Sequence, residues 1–576
     1  MKISLRFAVL TFAGCMLLCA AGAQSQYNDH KTIMQKINAL TKEYPALCTA
    51  KPLVKTAGGT EIMALTIGRG ERDNKPGIAV LGGIEGSYLL GRELAFGFVA
   101  SLLKDSESAE IKSLLDKVTF YVFPDVSPDA AEQFFRQLKY ERNINAGTTD
   151  DDRDFVNDED PFEDLNNDGF ITLMRISDPA GIYTENGDDK RIMVPADISK
   201  GQTGSFSVYS EGIDNDKDGK FNEDGPGGVN FNRNLTFNYE EHGTNAGLYP
   251  VSEAESKAVL DFLFDHYNIY AIFAFGPQDN LGQPMKSAER PGTTQPSSQD
   301  QSPGMGQGFQ QGQFPPMGQF PPQGQMRMMN QERRFTSILR SDEAINKLVS
   351  GKYHEITGIK GAPPAQSTRG NFMEWAYFHY GRYSFSTPAW WYPVEKEQNP
   401  EVAFLKYAAE NKMDDVFIPW TEIKHPDFPG KKVEAGGIKP FAMINPPPDK
   451  IDDLVSKNYK FIVAVAGMHP ELEFLDVKVE NQGDNIFRLS LKVHNKGVFA
   501  TCAEAGERNM WTRLMRISIE TANKQQLLSG AKVQRMQRLE GDKSSEFSWL
   551  IMGKGTINIT AGAVNTGIIT TSADLK

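Results

Sequence analysis

Cysteine is nearly absent from this chain, four among 576 residues, and Cys15 and Cys19 fall within an N-terminal apolar run. The remaining pair, Cys48 and Cys502, is too small for a disulfide framework or a thiolate zinc site. Histidine is scarce too, at eight residues. Beyond the first run, no stretch reaches the roughly 18 apolar residues that a membrane span requires. Basic charge is in deficit, 61 Lys and Arg against 74 Asp and Glu, and the excess of acid is local. Residues 150 to 168 hold ten acids and one base, and residues 211 to 224 hold six acids and two bases. These two segments account for the whole net charge of -13. The remainder is balanced, which argues against a nucleic-acid partner, because phosphate binding needs clustered Lys and Arg. Two compact acidic segments point instead to cations.

What is present begins with Lys2 and Arg6 before the apolar run Phe7 to Leu18, followed by Ala21 and Ala23. This reads as a secretory signal over residues 1–23, so the chain is expected to be exported to a periplasmic or extracellular space. Phe12-Ala13-Gly14-Cys15 offers a second reading, lipoprotein anchoring at Cys15, but it would cut the apolar run short. Farther on, helical periodicity from Ile33 to Tyr44, a buried strand Gly77 to Leu81, a helix Leu89 to Leu103, a strand Val118 to Phe123, a helix Ala254 to Phe264 and a strand Ile269 to Phe275 alternate. That order predicts an α/β fold with a mixed, largely parallel sheet flanked by helices.

Two insertions interrupt it. Residues 143–228 carry the acid clusters. Residues 285–332 contain a Gln/Gly/Pro-rich stretch, too poor in apolar surface to offset chain entropy and therefore read as a disordered loop. After Pro440 the period changes to two. Leu475, Val477 and Val479, then Phe487 to Val493, Met515 to Ile519, Phe547 to Ile551 and Ile557 to Ile559 predict five strands of a β-sandwich. The expected organisation is 1–23 signal, 24–439 first domain and 440–576 sandwich.

Asp164, Asn166 and Asp168, followed by Gly169 and Phe170, reproduce the opening of a calcium loop. Oxygen side chains occupy positions 1, 3 and 5, glycine makes the sharp turn, and the Phe170 carbonyl takes position 7. Asp214, Asp216, Asp218, Gly219 and Lys220 do the same, and Asp150, Asp152 and Asp154 form a weaker copy with Phe155 at the turn. Position 12 of the Asp164 copy is Arg175 rather than a bidentate Glu, so Glu159, Asp160, Glu223 or Asp224 would have to complete the shell. A structural calcium role is expected, since packing these carboxylates without a cation costs repulsion at every pair.

Gly82-Gly83-Ile84-Glu85-Gly86-Ser87-Tyr88, after a strand and opening a helix, resembles the first metal motif of the carboxypeptidase A-like zinc carboxypeptidases. Ser127-Pro128-Asp129-Ala130, Asn232-Arg233-Asn234, Ser252-Glu253-Ala254-Glu255 and Trp375-Ala376-Tyr377 through Tyr383-Ser384-Phe385 resemble further motifs of that family, in its order. The acidic insertion resembles that of a bacterial secreted branch. The resemblance implies the fold, and it implies a His-x-x-Glu pair, a later His and a glutamate base around an open Zn²⁺. In this sequence those positions are Glu85, Tyr88, Phe275 and Pro388, and none of the eight histidines has a glutamate three residues on. Zinc is therefore not expected, and the chain reads as a catalytically defective member. Arg233 with Asn232 is implied as the grip on a substrate C-terminal carboxylate, and Arg142 as the oxyanion-stabilising arginine.

The leading expectation is a secreted, calcium-stabilised protein that binds peptides or polypeptide C-termini without hydrolysing them. An active metallocarboxypeptidase using Glu85 with His354 or His379 is the enzymatic alternative. A calcium-dependent surface or assembly module with a vestigial cleft is the third.

Overall fold

The computed structural model describes residues 26–148, 157–158, 160–215, 217, 219, 221–222, 225–288 and 335–576. The signal segment, Asp150, Asp152, Asp154, Glu159, Asp216, Asp218, Lys220, Glu223, Asp224 and nearly all of the 285–332 loop lie outside the described residues.

The first domain opens with α1 (His30–Glu43), capped by Asp29, whose side chain accepts the Thr32 amide. There follow β1 (Cys48–Lys55), β2 (Glu61–Ile67), β3 (Gly77–Leu81), α2 (Leu89–Lys104), α3 (Ala109–Lys117), β4 (Thr119–Phe123) and the short α4 (Pro128–Ala131). After the insertion come α5 (Ala254–Asp265), β9 (Ile269–Phe275), α6 (Arg340–Thr357), α7 (Phe372–Phe378), β10 (Tyr383–Thr387) and α8 (Pro400–Glu410). The six strands are ordered β1-β2-β4-β3-β9-β10. The pairs among β4, β3, β9 and β10 are parallel, whereas β1 and β2 add an antiparallel edge. This is the mixed, largely parallel sheet that the alternating strands and helices imply. Strands β3, β4, β9 and β10 are buried along their whole length, as parallel strands covered on both faces must be. Chain order reverses at β3, so the crevice beyond the carboxyl ends of β3 and β9 is where such a sheet places a ligand.

The insertion holds more than loops. Its strands β5 (Leu173–Ser177), β6 (Tyr183–Glu185), β7 (Met193–Pro195) and β8 (Phe206–Ser210) join β11 (Phe417–Ile423) and β12 (Val433–Ile438) in a second six-stranded sheet, ordered β11-β12-β5-β8-β6-β7 and antiparallel throughout. Arg175 belongs to this sheet. Its guanidinium pairs with Glu434 at 2.9 Å and Glu185 at 3.3 Å and lies over the Trp420 ring.

The change of domain comes later than residue 440. Helix α9 (Ile451–Ala466) lays Leu454, Phe461, Ile462 and Val465 into the same core as Leu94, Phe98 and Leu102 of α2. The sandwich therefore starts at Leu472 and has eight strands, not five. One sheet is β13 (Leu472–Gly483), β14 (Ile486–Asn495), β18 (Lys543–Met552) and β16 (Gln526–Ser529). The other is β17 (Val533–Arg535), β15 (Arg516–Glu520), β19 (Gly555–Ala563) and β20 (Gly567–Leu575). Between them Leu489, Leu491, Ile517, Trp549, Ile551, Ile557 and Ile559 form one apolar core. A short helix, α10 (Glu504–Asn509), returns from the sandwich to the first domain.

Candidate active site with substituted metal positions

The turn after β3 is shaped by glycines for steric reasons. Gly83 has φ +66°, and a Cβ there would meet Asp125 Oδ1 at 2.2 Å. A Cβ on Gly86 would meet Ala130 of α4, also at 2.2 Å. Between them the turn delivers Glu85 to the carboxyl end of the sheet, 8% exposed.

Both Glu85 oxygens are occupied. Asn230 Nδ2 donates to Oε1 at 2.7 Å and Asn232 Nδ2 donates to Oε2 at 2.9 Å. The two asparagines are themselves fixed, because Asn230 Oδ1 accepts the Asn232 amide at 2.7 Å and Asn232 Oδ1 accepts the Phe372 amide at the start of α7 at 2.9 Å. Burial pushes the Glu85 carboxyl above its ordinary 4.5, while the amide donors and the charge of Arg233 act in the opposite direction. Tyr88, half-buried at the start of α2, is raised first by burial and then by the Glu85 charge, so its hydroxyl is neutral. Phe275 ends β9 inside the apolar core at 3% exposure. The β9–β10 register sets Thr387 directly beside Phe275, with Pro388 one residue beyond. Thr387 is buried, and its hydroxyl accepts the Ala389 amide at 3.1 Å.

This donor set does not fit zinc. A phenyl ring offers no lone pair, neither Thr387 nor Pro388 is a carboxylate base, and the one carboxylate is hydrogen-bonded at both oxygens. His354 has its ring nitrogens at 2.7 Å from the Ile359 carbonyl and 3.0 Å from the Gly282 carbonyl. His379, at the end of α7, bonds Thr236 at 2.8 Å. Neither contacts Glu85 by a hydrogen bond.

Of the residues that the resemblance implies as a substrate grip, Asn232 is buried beside Glu85 and Arg233 is half-buried, donating to the Thr244 carbonyl at 3.1 Å. The Arg142 guanidinium donates to the carbonyls of Ile144, Asn145 and Gly227, at 3.1, 2.5 and 3.0 Å, and so ties the two ends of the insertion together. Sequence reasoning missed Asn230 and Gln278. The spacing of Asn230 and Asn232 was a visible signal, whereas nothing in the sequence marked Gln278.

The acidic loops adjoin one end of the central strands β5 and β8, where Leu173 pairs with Ser210. Asp164 accepts the amides of Asp168 at 3.1 Å and Gly169 at 2.8 Å, and Gly169 has φ +84°. Asp214 accepts the Gly219 amide at 3.1 Å, again from position 1 to position 6, and Gly219 has φ +94°. The loops are tied reciprocally. Glu211 accepts the amides of Leu165, Asn166 and Thr172, Glu163 accepts that of Ile213, and Asp160 accepts those of Asn215 and Asn222. Asp160, expected to complete a cation shell, is fully buried within this bracing. Among the described residues no three His, Cys, Asp or Glu side chains gather as a metal site. Among those same residues, no helix is long and apolar enough to cross a membrane.

A family model described as zinc carboxypeptidase matches residues 33–170, and one described as a domain of unknown function matches residues 471–574. Carboxypeptidase B of Astacus astacus is 27% identical over 124 residues, 22% of this chain and 40% of that protein. The chain thus spans less than half the length of that curated relative. Among solved structures, bovine thrombin-activatable fibrinolysis inhibitor, in complex with tick carboxypeptidase inhibitor, aligns at 13% identity with a TM-score of 0.39, covering 77% of this chain and 96% of that one. Carboxypeptidase A of Helicoverpa armigera aligns at 13% identity and a TM-score of 0.39, covering 77% and 73%. The family match covers the segment that carries the motif turn after β3, so the similarity to zinc carboxypeptidases lies in the N-terminal α/β domain.

Proposed function

We propose that this is an exported, non-catalytic carboxypeptidase-like protein that binds peptide in the crevice beyond β3 and β9 and is stabilised by calcium in its acidic loops. The observation that carries the reading is the state of Glu85. At the position where the family resemblance implies a histidine ligand stands a carboxylate whose two oxygens already accept Asn230 and Asn232, with Phe275 at the third ligand position. A site so built has amide donors and walls for a peptide, and no group to activate water. Metal analysis of the purified chain is expected to find zinc well below one equivalent, and peptides incubated with it should keep their C-terminal residues. One equivalent of zinc together with C-terminal residue release would overturn the proposal.

Glu85 also makes a pH prediction. Its folded pKa is raised, so the folded state holds the proton more tightly than the unfolded chain. The associated stability is complete below the unfolded value near 4.5 and is lost as pH rises through the folded value. Glu85→Gln removes this titration, and relative to the parent the variant should gain in melting temperature from pH 5 to pH 8. Calorimetry across that range checks it, and a difference that does not change with pH contradicts it.

The calcium part of the reading is supported by the repeated position 1 to position 6 hydrogen bond and the left-handed glycine in both loops. Replacing Asp164 by Ala should abolish at least half of the calcium bound by the parent in equilibrium dialysis, since it removes position 1 of one loop and loosens the bonds that tie that loop to the other.

A further inference from the structure

A cleft of about 580 Å3 opens beside the Glu85 site, lined among others by Gln278, Asp279, Lys286, Arg369, Asn371 and Glu374. Its floor is set by a chain of amides whose orientations are fixed from one end. The Phe372 backbone N–H can only donate, so Asn232 must present Oδ1 to it and Nδ2 to the other side. Asn232 Nδ2 then spends its two hydrogens on Glu85 Oε2 and on Gln278 Oε1, the latter at 2.7 Å. Gln278 therefore accepts through its oxygen and must direct Nε2 elsewhere. The residue is 3% exposed, lines the cleft, and has no partner for Nε2. A buried donor left unmet carries its desolvation penalty uncompensated, so an acceptor oxygen arriving from the cleft is favoured there.

The surroundings decide which acceptor. Asp279 is pinned by the amides of Gly282 and Gln283, both at 2.9 Å, and Glu374 by Asn371 Nδ2 at 2.9 Å, so two carboxylates line the same cleft as Gln278. Of the basic groups on the cleft, Arg369 is engaged with Glu240 at 3.4 Å and Lys286 stands exposed at the rim. A ligand carboxylate on Gln278 would share the cleft with Asp279 and Glu374, whose pKa values burial raises, and with Arg369 and Lys286 nearer the solvent. A main-chain carbonyl brings no charge into that setting, and a neighbouring cationic side chain is attracted to both carboxylates.

Resting on the peptide-binding reading above, we propose that Gln278 Nε2 receives a main-chain carbonyl from an internal, basic stretch of polypeptide, with Asp279 and Glu374 taking the Lys or Arg side chain, and that the C-terminal carboxylate is not the recognised group. Glu85 and Asn232 are positioning residues for this donor.

The test uses titration calorimetry with three pentapeptides: acetyl-Ala-Ala-Lys-Ala-Ala-amide, the same peptide with a free C-terminal carboxylate, and the blocked peptide with Glu in place of Lys. The blocked Lys peptide is expected to bind at least as tightly as the free acid and at least tenfold more tightly than the Glu peptide. Gln278→Leu and the isosteric Gln278→Glu should each weaken it tenfold or more. Glu374→Gln, which leaves the floor intact, should narrow the preference for Lys over Glu and serves if the Gln278 variants do not fold. Unchanged affinity in a folded Gln278→Leu, or an undiminished preference in Glu374→Gln, overturns the inference. Binding of the free acid alone, abolished by Arg233→Ala, overturns it but leaves the protein a peptide binder. If none of the three peptides binds, the peptide-binding reading falls and the inference with it.

Discussion

On the proposed calcium role, chelation should lower the melting temperature of the folded protein by roughly 10 °C. A site held at a hundred times its dissociation constant contributes about 2.7 kcal/mol to folding, and two such loops give about 5 kcal/mol. For chains of this size each kcal/mol moves the midpoint by about 2–4 °C, and the low end applies to a first domain longer than the proteins on which that range rests. The effect should be cooperative. Glu211, at the exit of β8, holds three amides at the other loop, and Glu163 and Asp160 reach back to the amides that follow Glu211. Loosening one loop therefore releases the donors that order the other, and with them the paired ends of β5 and β8. Calorimetry in millimolar calcium and after exchange into a calcium chelator measures the shift. Asp164→Ala should reproduce at least half of it, and magnesium should restore little, since loops with this many oxygen groups suit the larger ion. A midpoint unchanged by chelation, with metal analysis confirming that the protein is calcium-free, rules out the calcium role.

The first domain was legible in the sequence where local pattern and tertiary environment agree. The continuous apolar runs Gly77 to Leu81 and Ile269 to Phe275 are strands buried on both faces, and their ends coincide with the observed β3 and β9. The motif turn was legible because its glycines answer steric demands that no other residue meets. The second sheet was not. Strands β6 and β7 are three residues each, Tyr183 to Glu185 is half-buried along its length without alternation, and the partner strands β11 and β12 lie more than 200 residues farther on. Helix α9 carries an ordinary amphipathic pattern, which says that one face is buried but not against which domain. At the site, identity at single positions was informative, since Phe275 and Pro388 are poor in donors wherever they point. Role was harder to read. Arg142 differs from a ligand-facing arginine only through the three carbonyls around it, and Gln278 gains meaning only through Asn232.

The second large effect is expected at Asp342, which joins the two domains. Helix α10 begins after Ala503, a residue with no side chain to cap it. Asp342, 1% exposed in the first turn of α6, supplies the missing acceptor, taking the Glu504 amide at 2.9 Å and the Ala505 amide at 3.1 Å. The same carboxylate accepts the Tyr377 hydroxyl at 2.8 Å and stands 3.5 Å from the buried Arg538 guanidinium of the sandwich. Burial pushes its pKa up, and the Glu504 amide, Tyr377 and Arg538 oppose that shift. Asp342→Ala strips two helix amides and a tyrosine hydroxyl of their acceptor and leaves the Arg538 guanidinium with only Glu540, the Tyr383 hydroxyl and the Cys502 carbonyl as partners. Breaking a buried charge pair from one side costs about 3–5 kcal/mol. Asp342→Asn keeps one acceptor oxygen and should cost clearly less. Because the contact lies between domains, the loss should appear as an earlier, separate unfolding step of the sandwich in calorimetry and as faster proteolysis between residues 496 and 512, with the first domain retaining its own transition. A single unshifted transition in Asp342→Ala would mean that the domains are held together elsewhere and that this carboxylate is dispensable.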